Sequence, residues 1–206
     1  MSRFAARLAA AFLAAAVAVP GAANAYETTA KYAYMIDAKT GTVLFEKNGA
    51  ETMFPASMTK MMTIYLTFER LKDGRLTLDS GLAVSEEAWR TGGSKSFMMV
   101  GDKVRVEDLI RGVIVQSGND ACIVLAQGMA GSEAAFAVEM NKKAKELGMT
   151  GTHFKNSDGM PDPEHVTTAR DLAILAKRTI EDFPEYYTYY AETEYTHSGI
   201  KQANRN

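Results

Sequence analysis

Cysteine is almost missing from this 206-residue chain, and Cys122 alone can form neither an internal disulfide nor a cysteine-cluster metal site. Histidine is nearly as scarce. His153, His165 and His197 are scattered with no H-E-x-x-H or other close pairing, so neither a zinc site nor a Ser-His-Asp triad has local support. Each reads as a surface or loop residue. No G-x-G-x-x-G or Walker sequence occurs, which speaks against nucleotide binding. There is no basic run and no positive excess, hence no electrostatic footprint for nucleic acid. No stretch approaches transmembrane length: the longest apolar run, Leu8 to Val19, has 12 residues, where a spanning helix needs about 20.

That run reads instead as an address. Arg3 and Arg7 precede it, and Pro20, Gly21 and Ala23-Asn24-Ala25 follow, the layout of a secretory signal cut before Tyr26. Residues 1–25 are expected to be removed and residues 26–206 to work outside the cytoplasm. Without the two arginines, 21 basic residues face 25 acidic ones, a net charge of −4. The remaining 181 residues suit one domain, or a domain plus a subdomain, and show neither a repeat nor a low-complexity linker.

Periodicity and turn residues lay out the elements. Ala30–Ile36 and Thr42–Phe45 read as a hairpin around the turn Asp37-Ala38-Lys39-Thr40-Gly41. A helix is expected from Ser57 to about Leu71, ending at Asp73-Gly74. Ser85 caps a short helix, Thr91–Ser94 is a flexible link, and Ser94 and Ser96 read as solvated loop. Helices are expected over Val104–Val115 and from Ala121 to Gln127. Ser132 caps another that ends at Gly148, and Thr168 caps one over Ala169–Ile180, with Asp171 placed for a capping box. A strand is expected to begin at Glu192–Thr196.

The chemistry centres on Pro55-Ala56-Ser57-Met58-Thr59-Lys60. Residues i and i+3 share a helix face, so the Ser57 hydroxyl and the Lys60 amine can meet. Met61, Met62, Ile64, Tyr65, Leu66 and Phe68 make that helix apolar nearly all round, as a buried helix is. Burial disfavours a charged lysine, and a hydroxyl beside an amine able to be neutral is an activated nucleophile. S-x-x-K alone is a weak signal. A second match, Ser198-Gly199-Ile200-Lys201, has glycine where a helix would propagate and reads as accidental. Ser117-Gly118-Asn119, between two helices, is either an ordinary turn or the second wall of a cleft, with a hydroxyl to relay a proton and an amide to orient a substrate. S-x-x-K on a buried helix, S-x-N between helices and a signal sequence together match a serine acyltransferase pattern. Cys122, three residues past Asn119, is either a buried small hydrophobe or a thiol lying behind the site.

With these motifs the chain resembles a low-molecular-mass penicillin-binding protein of the serine-type D-alanyl-D-alanine carboxypeptidase family. Asp102 to Gly112, Gln116 to Ala121, Gly151-Thr152-His153-Phe154, Thr168-Ala169-Arg170-Asp171 and Asn204-Arg205-Asn206 extend the likeness over nearly all of residues 26–206. The resemblance implies that Ser57 attacks the carbonyl between two terminal D-alanines of a peptidoglycan stem peptide, with Lys60 as general base and Ser117 relaying the proton to the leaving amine. It implies that Asn119 orients Lys60 and the substrate amide, with Gly118 beside it on the substrate side. No metal or cofactor is needed, and β-lactams acylate Ser57. The implied fold is α/β, β-lactamase/transpeptidase-like: an antiparallel sheet backed by helices, with an all-helical lobe from roughly 75 to 165 and the cleft between them.

One family motif is out of place. K-T-G is expected after S-x-N, but the one Lys-Thr-Gly here, Lys39-Thr40-Gly41, sits in the first hairpin turn. The chain is therefore expected to be the N-terminal part of a longer protein whose third motif, C-terminal β-domain and amphipathic membrane anchor follow. Residues 26–206 alone are expected to be inactive and poorly soluble, with Met61, Met62 and Tyr65 uncovered. Two alternatives stand beside this reading. A β-lactamase would need a deacylating glutamate, for which Glu164 is the one candidate, and it lacks the accompanying asparagine. A non-catalytic penicillin- or wall-binding module is the other.

Overall fold

The computed structural model describes residues 27–204 except residue 198. The expected signal, Ser198 of the second S-x-x-K match, and Arg205 and Asn206 lie outside the described residues. Strands β1 (Ala33–Ile36) and β2 (Val43–Lys47) form the expected antiparallel hairpin, with Tyr34 opposite Glu46. In its turn the Asp37 carboxylate accepts from Thr40 N at 2.7 Å and Lys39 N at 3.1 Å, and Gly41 takes φ +73°, which favours glycine. Lys39-Thr40-Gly41 is thus a turn.

A short 3-10 turn, Ala56–Thr59, leads into α1 (Lys60–Lys72), the centre of the molecule. Met62, Ile64, Tyr65, Leu66, Phe68 and Leu71 are buried, and so are Lys60, Thr63, Thr67 and Arg70. Burial on every side needs partners for the polar groups. Thr63 Oγ1 donates to Ser157 O at 2.6 Å, Thr67 Oγ1 to Thr63 O at 2.8 Å, and Arg70 pairs with Glu139.

The lobe beyond α1 is mainly helical: α2 (Glu86–Arg90), α3 (Val106–Gln116), α4 (Asn119–Ala130) and α5 (Glu133–Leu147). It is not all-helical. Strands β3 (Gly81–Ala83) and β4 (Lys103–Arg105) pair within it, so Val104 belongs to a strand rather than to the following helix. α4 begins two residues earlier than Ala121 and packs against α1, α2, α3 and α5, with Ala121 to Ala126 all buried. Ser85 and Ser132 cap α2 and α5, each accepting from the amide three residues on.

α6 (Ala169–Asp182) lies against β1, and a 3-10 segment, Tyr187–Ala191, leads to the hairpin β5 (Glu194–His197) and β6 (Ile200–Ala203). Thr168 caps α6 as expected, but Asp171 does not complete a capping box. Its carboxylate instead accepts from Gly151 N at 2.8 Å and Thr152 Oγ1 at 2.7 Å, tying the α5–α6 connection to the helix start. Among the described residues all three sheets have two strands and rest on helices, as such small sheets must.

The tyrosine-rich segment after α6 covers the central helix. Phe183, Tyr186 and Tyr189 pack on Phe68 with centroids 5.9, 5.3 and 6.4 Å away, and Phe183 meets Tyr65 edge-on at 4.9 Å. Met62 and Tyr65 are therefore buried within this chain, contrary to expectation, and only Met61 stays half-exposed. Phe68→Ala should destabilise by about 3–5 kcal/mol, as for other buried phenylalanines, while Val138→Ala, 69 % exposed, should stay within about 0.5 kcal/mol. Urea denaturation followed by circular dichroism measures both.

Candidate active site

The turn before α1 sets the geometry of the first motif. Lys60 is the first residue of the α-helix and Ser57 lies one 3-10 turn earlier, with Lys60 Nζ donating to Ser57 Oγ at 3.3 Å. Ser57 is exposed while Lys60 is 5 % exposed, so a solvent-facing hydroxyl meets a buried amine. The amine has a second partner, Asp158 O at 2.5 Å, from a loop 98 residues away. A cavity of about 260 Å³ opens beside the pair, lined by Ser57, Lys60, Met61, Ile64, Val113, Ser117 and Tyr190 among others. Ser57, Lys60 and Ser117 are thus brought to one cleft. A larger cavity, about 860 Å³, lies between β1 and α6, but its lining of Tyr32, Tyr34, Met53, Leu172 and similar groups holds no nucleophile with a base. Chemistry, not size, marks the site.

The second motif is a two-residue hinge between α3 and α4. Ser117 ends α3 in the left-handed region, φ 56° and ψ 36°, a conformation that non-glycine residues adopt at a cost. Asn119 opens α4, its backbone N donating to Ser94 O and its Nδ2 to Gly92 O, both at 2.8 Å. The same Nδ2 lies 3.7 Å from Met160 Sδ, and the Lys60 amine donates to Ser57 and Asp158 O, not to Asn119. Gly118 is buried, and a Cβ there would lie 2.3 Å from Ser96 Oγ. Its lack of a side chain lets the loop pack beneath the motif. Ser96 is likewise buried, not solvated, because its amide donates to both carboxylate oxygens of Asp120 at 2.9 Å.

The loop from 155 to 160 does not line the cleft but holds the Lys60 amine through Asp158 O. Glu133 Oε1 accepts from Ser157 N at 2.9 Å and from Ser157 Oγ at 2.5 Å. Ser157 O then receives Thr63, and Asp158 O receives Lys60. Burial raises the Asp158 carboxyl above its ordinary range, and Met160 N donates to its Oδ1 at 3.0 Å. Gly159, at φ +88°, lies flat on the turn that carries Ser57: a Cβ there would fall 1.9 Å from Ala56 O. No sequence motif announces this loop, since Asp158-Gly159 by itself signals only a turn.

His165 is also misplaced by the sequence reading. It is 2 % exposed, with Nε2 at 2.8 Å from Thr59 Oγ1 and Nδ1 accepting from Lys155 N at 3.2 Å. His153 is exposed, as expected, and His197 half-buried. Glu164 pairs with Lys155 at 3.0 Å on the surface and does not line the cleft, which leaves the β-lactamase reading without its glutamate. Among the described residues no three His, Cys, Asp or Glu side chains converge as a metal site. Cys122 is fully buried, and burial pushes its thiol well above its usual range.

A family model described as D-alanyl-D-alanine carboxypeptidase, peptidase S11, matches residues 18–206. The chain belongs to this family. Among its carboxypeptidase relatives is the D-alanyl-D-alanine carboxypeptidase DacC of Escherichia coli K12, 44 % identical over 178 residues, which are 84 % of this chain and 44 % of the relative. The fold is similar to that of penicillin binding protein 5 from Haemophilus influenzae, with a TM-score of 0.85 and 38 % identity, covering 87 % of this chain and 53 % of that one. Penicillin-binding protein D2 from Listeria monocytogenes, solved in an ampicillin-bound form, has a TM-score of 0.78 and 28 % identity, covering 88 % and 74 %. The chain spans less than half the length of curated carboxypeptidases such as DacC. Its α/β fold of helices and small antiparallel sheets is that of these penicillin-binding carboxypeptidases.

Two outcomes follow from this packing. Gly159→Ala has no room against the Ala56 carbonyl and should fall at the upper end of the about 1–3 kcal/mol typical of overpacking, read as a drop in thermal midpoint. The Cys122 thiol should resist Ellman's reagent at pH 8 in the native protein and react fully once unfolded. Stoichiometric native labelling would show that it is reachable from the cleft.

Proposed function

We propose that the full-length protein is a serine D-alanyl-D-alanine carboxypeptidase that trims the terminal D-alanine from peptidoglycan stem peptides. The observation that carries this reading is the 3.3 Å approach of Lys60 Nζ to Ser57 Oγ in a cleft that Ser117 also lines. Ser57 Oγ attacks the carbonyl between the two D-alanines, and its proton passes to Lys60 Nζ as the O–C bond forms. Asp158 O holds the amine beside Ser57, where its neutral form can turn its lone pair to the hydroxyl. Ser117 lies across the cleft; its hydroxyl gives its proton to the departing amine as the C–N bond breaks and takes in exchange the proton that Lys60 Nζ received from Ser57. Water then attacks the acyl-Ser57 ester, and the shortened peptide leaves with Ser57 regenerated. Asn119, at the start of α4 beside Ser117, binds the substrate amide; Gly118 lets these two residues sit side by side.

β-lactams enter as inhibitors that acylate the same serine, in keeping with the ampicillin-bound relative. Residues 1–25 are read as an export signal and residues 26–206 as the N-terminal part of the catalytic domain. The protein then acts in the periplasm or on the outer face of the cytoplasmic membrane, held there by a C-terminal anchor.

The test is penicillin labelling and D-alanine release by the full-length protein. Ser57→Ala should abolish both. Lys60→Met should lower acylation by about 10²–10⁴-fold, the usual worth of a general base. Because it leaves Asp158 O without its donor, it should also cost about 1–3 kcal/mol of stability. Acylation of a folded Lys60→Met variant near the wild-type rate would remove Lys60 from this role.

A further inference from the structure

We infer that His165 is a positioning residue for this reaction: its ring, protonated at Nε2, clamps the turn carrying Ser57 to the loop that holds Lys60. The inference rests on the reading of Ser57 and Lys60 as nucleophile and base. A backbone N–H can only donate, so the Lys155 amide 3.2 Å from Nδ1 leaves that nitrogen as an acceptor. The proton of the neutral ring then lies on Nε2, which donates to Thr59 Oγ1 at 2.8 Å.

Both ends of this bridge bear on the site. Thr59 stands between Ser57 and Lys60, fully buried, in the turn that sets their spacing. Lys155 opens the loop whose Asp158 carbonyl binds the Lys60 amine, and Gly159 of that loop abuts Ala56. The ring thus ties together two segments that share no covalent neighbourhood, and Phe154 supports it edge-on with centroids 5.7 Å apart. Neither ring nitrogen is free to meet a substrate, which makes the role one of positioning.

The bridge has a built-in sensitivity to acid. A second ring proton would place Nδ1–H against the Lys155 N–H, two donors facing each other. Asp162 on the same loop and Glu133 at the start of α5 favour the charged ring, and His153 opposes it. Burial is the largest influence, and the ring's pKa is held below its ordinary value. With the folded value lowered, the bridge's stabilisation is complete above the ordinary histidine range, about pH 6.5. It is lost as pH falls from there toward the folded value.

The experiment uses the full-length protein and three variants: Thr59→Val, Thr59→Ser and His165→Asn. Long-range ¹H–¹⁵N spectra report the tautomer and titration of His165, and labelled penicillin reports the acylation rate against pH. The wild type should show the Nε2–H tautomer, with an acid limb in acylation at the pH where His165 titrates. Thr59→Val should acylate about tenfold more slowly at pH 7, the loss of one buried hydrogen bond in the barrier. Thr59→Ser should return to within about twofold of the wild type, because it restores the hydroxyl. His165→Asn should be slowed similarly and should lose the acid limb, which a merely structural defect would not remove. An Nδ1–H tautomer, or a Thr59→Val rate equal to the wild type, overturns the inference while leaving the catalytic reading intact. If Thr59→Val does not fold, the tautomer and the acid limb of the wild type still decide. A wild type that penicillin never acylates overturns the catalytic reading, and this role with it.

Discussion

A lysine amine buried at the start of a central helix is the constraint around which this structure is arranged. Lys60 Nζ meets only two hydrogen-bond partners among the described residues, Ser57 Oγ and Asp158 O. A buried amine without partners costs several kcal/mol or surrenders its proton, so the carbonyl from the distant loop is a requirement. That loop in turn needs its own anchors. Glu133 holds Ser157, Ser157 O receives Thr63, and Gly159 is stripped of any side chain so that it can lie on Ala56. The chain thus returns to α1 from nearly a hundred residues away to complete one amine's coordination.

Strain gathers around the same point. Ala56, one residue before Ser57, has φ 47°, and Ser117 has φ 56°, both left-handed and both next to the cleft. Such conformations cost of order 1–3 kcal/mol each and persist where their surroundings over-determine them. Here the surroundings are specific. The Asp158–Gly159 backbone presses on the first, and α3 and α4, joined by a single intervening residue pair, fix the second.

Much of this was legible in the sequence, and the limits have physical causes. Spacing of i and i+3 put Ser57 beside Lys60, and Ser85, Ser132 and Thr168 marked their helix starts because capping chemistry is local. The β3–β4 pair escaped because three-residue strands carry too little alternation to register. Burial of His165 and Ser96 escaped because it depends on Thr59 and Asp120, partners far away in sequence. Asp171 satisfied the capping-box spelling, yet its carboxylate went to Gly151 and Thr152, a tertiary demand that outweighed the local one. The packing of Tyr186 and Tyr189 over the central helix also escaped, because a cluster of tyrosines does not say which distant surface it covers.

The burial of α4 sets a gradient of timescales across the cleft. Behind the site, Ala121, Cys122, Val124, Leu125 and Ala126 are fully enclosed, so amide protons there can exchange with water only when the whole domain opens. On the other side of Asp120 the chain passes to Phe97, Met99 and Val100, about half exposed, with Phe97 in a left-handed conformation. Such a segment can open locally without breaking the core. Two parts of the helical lobe are therefore set to open on different clocks, α4 on that of global unfolding and the 97–100 segment on a much faster one.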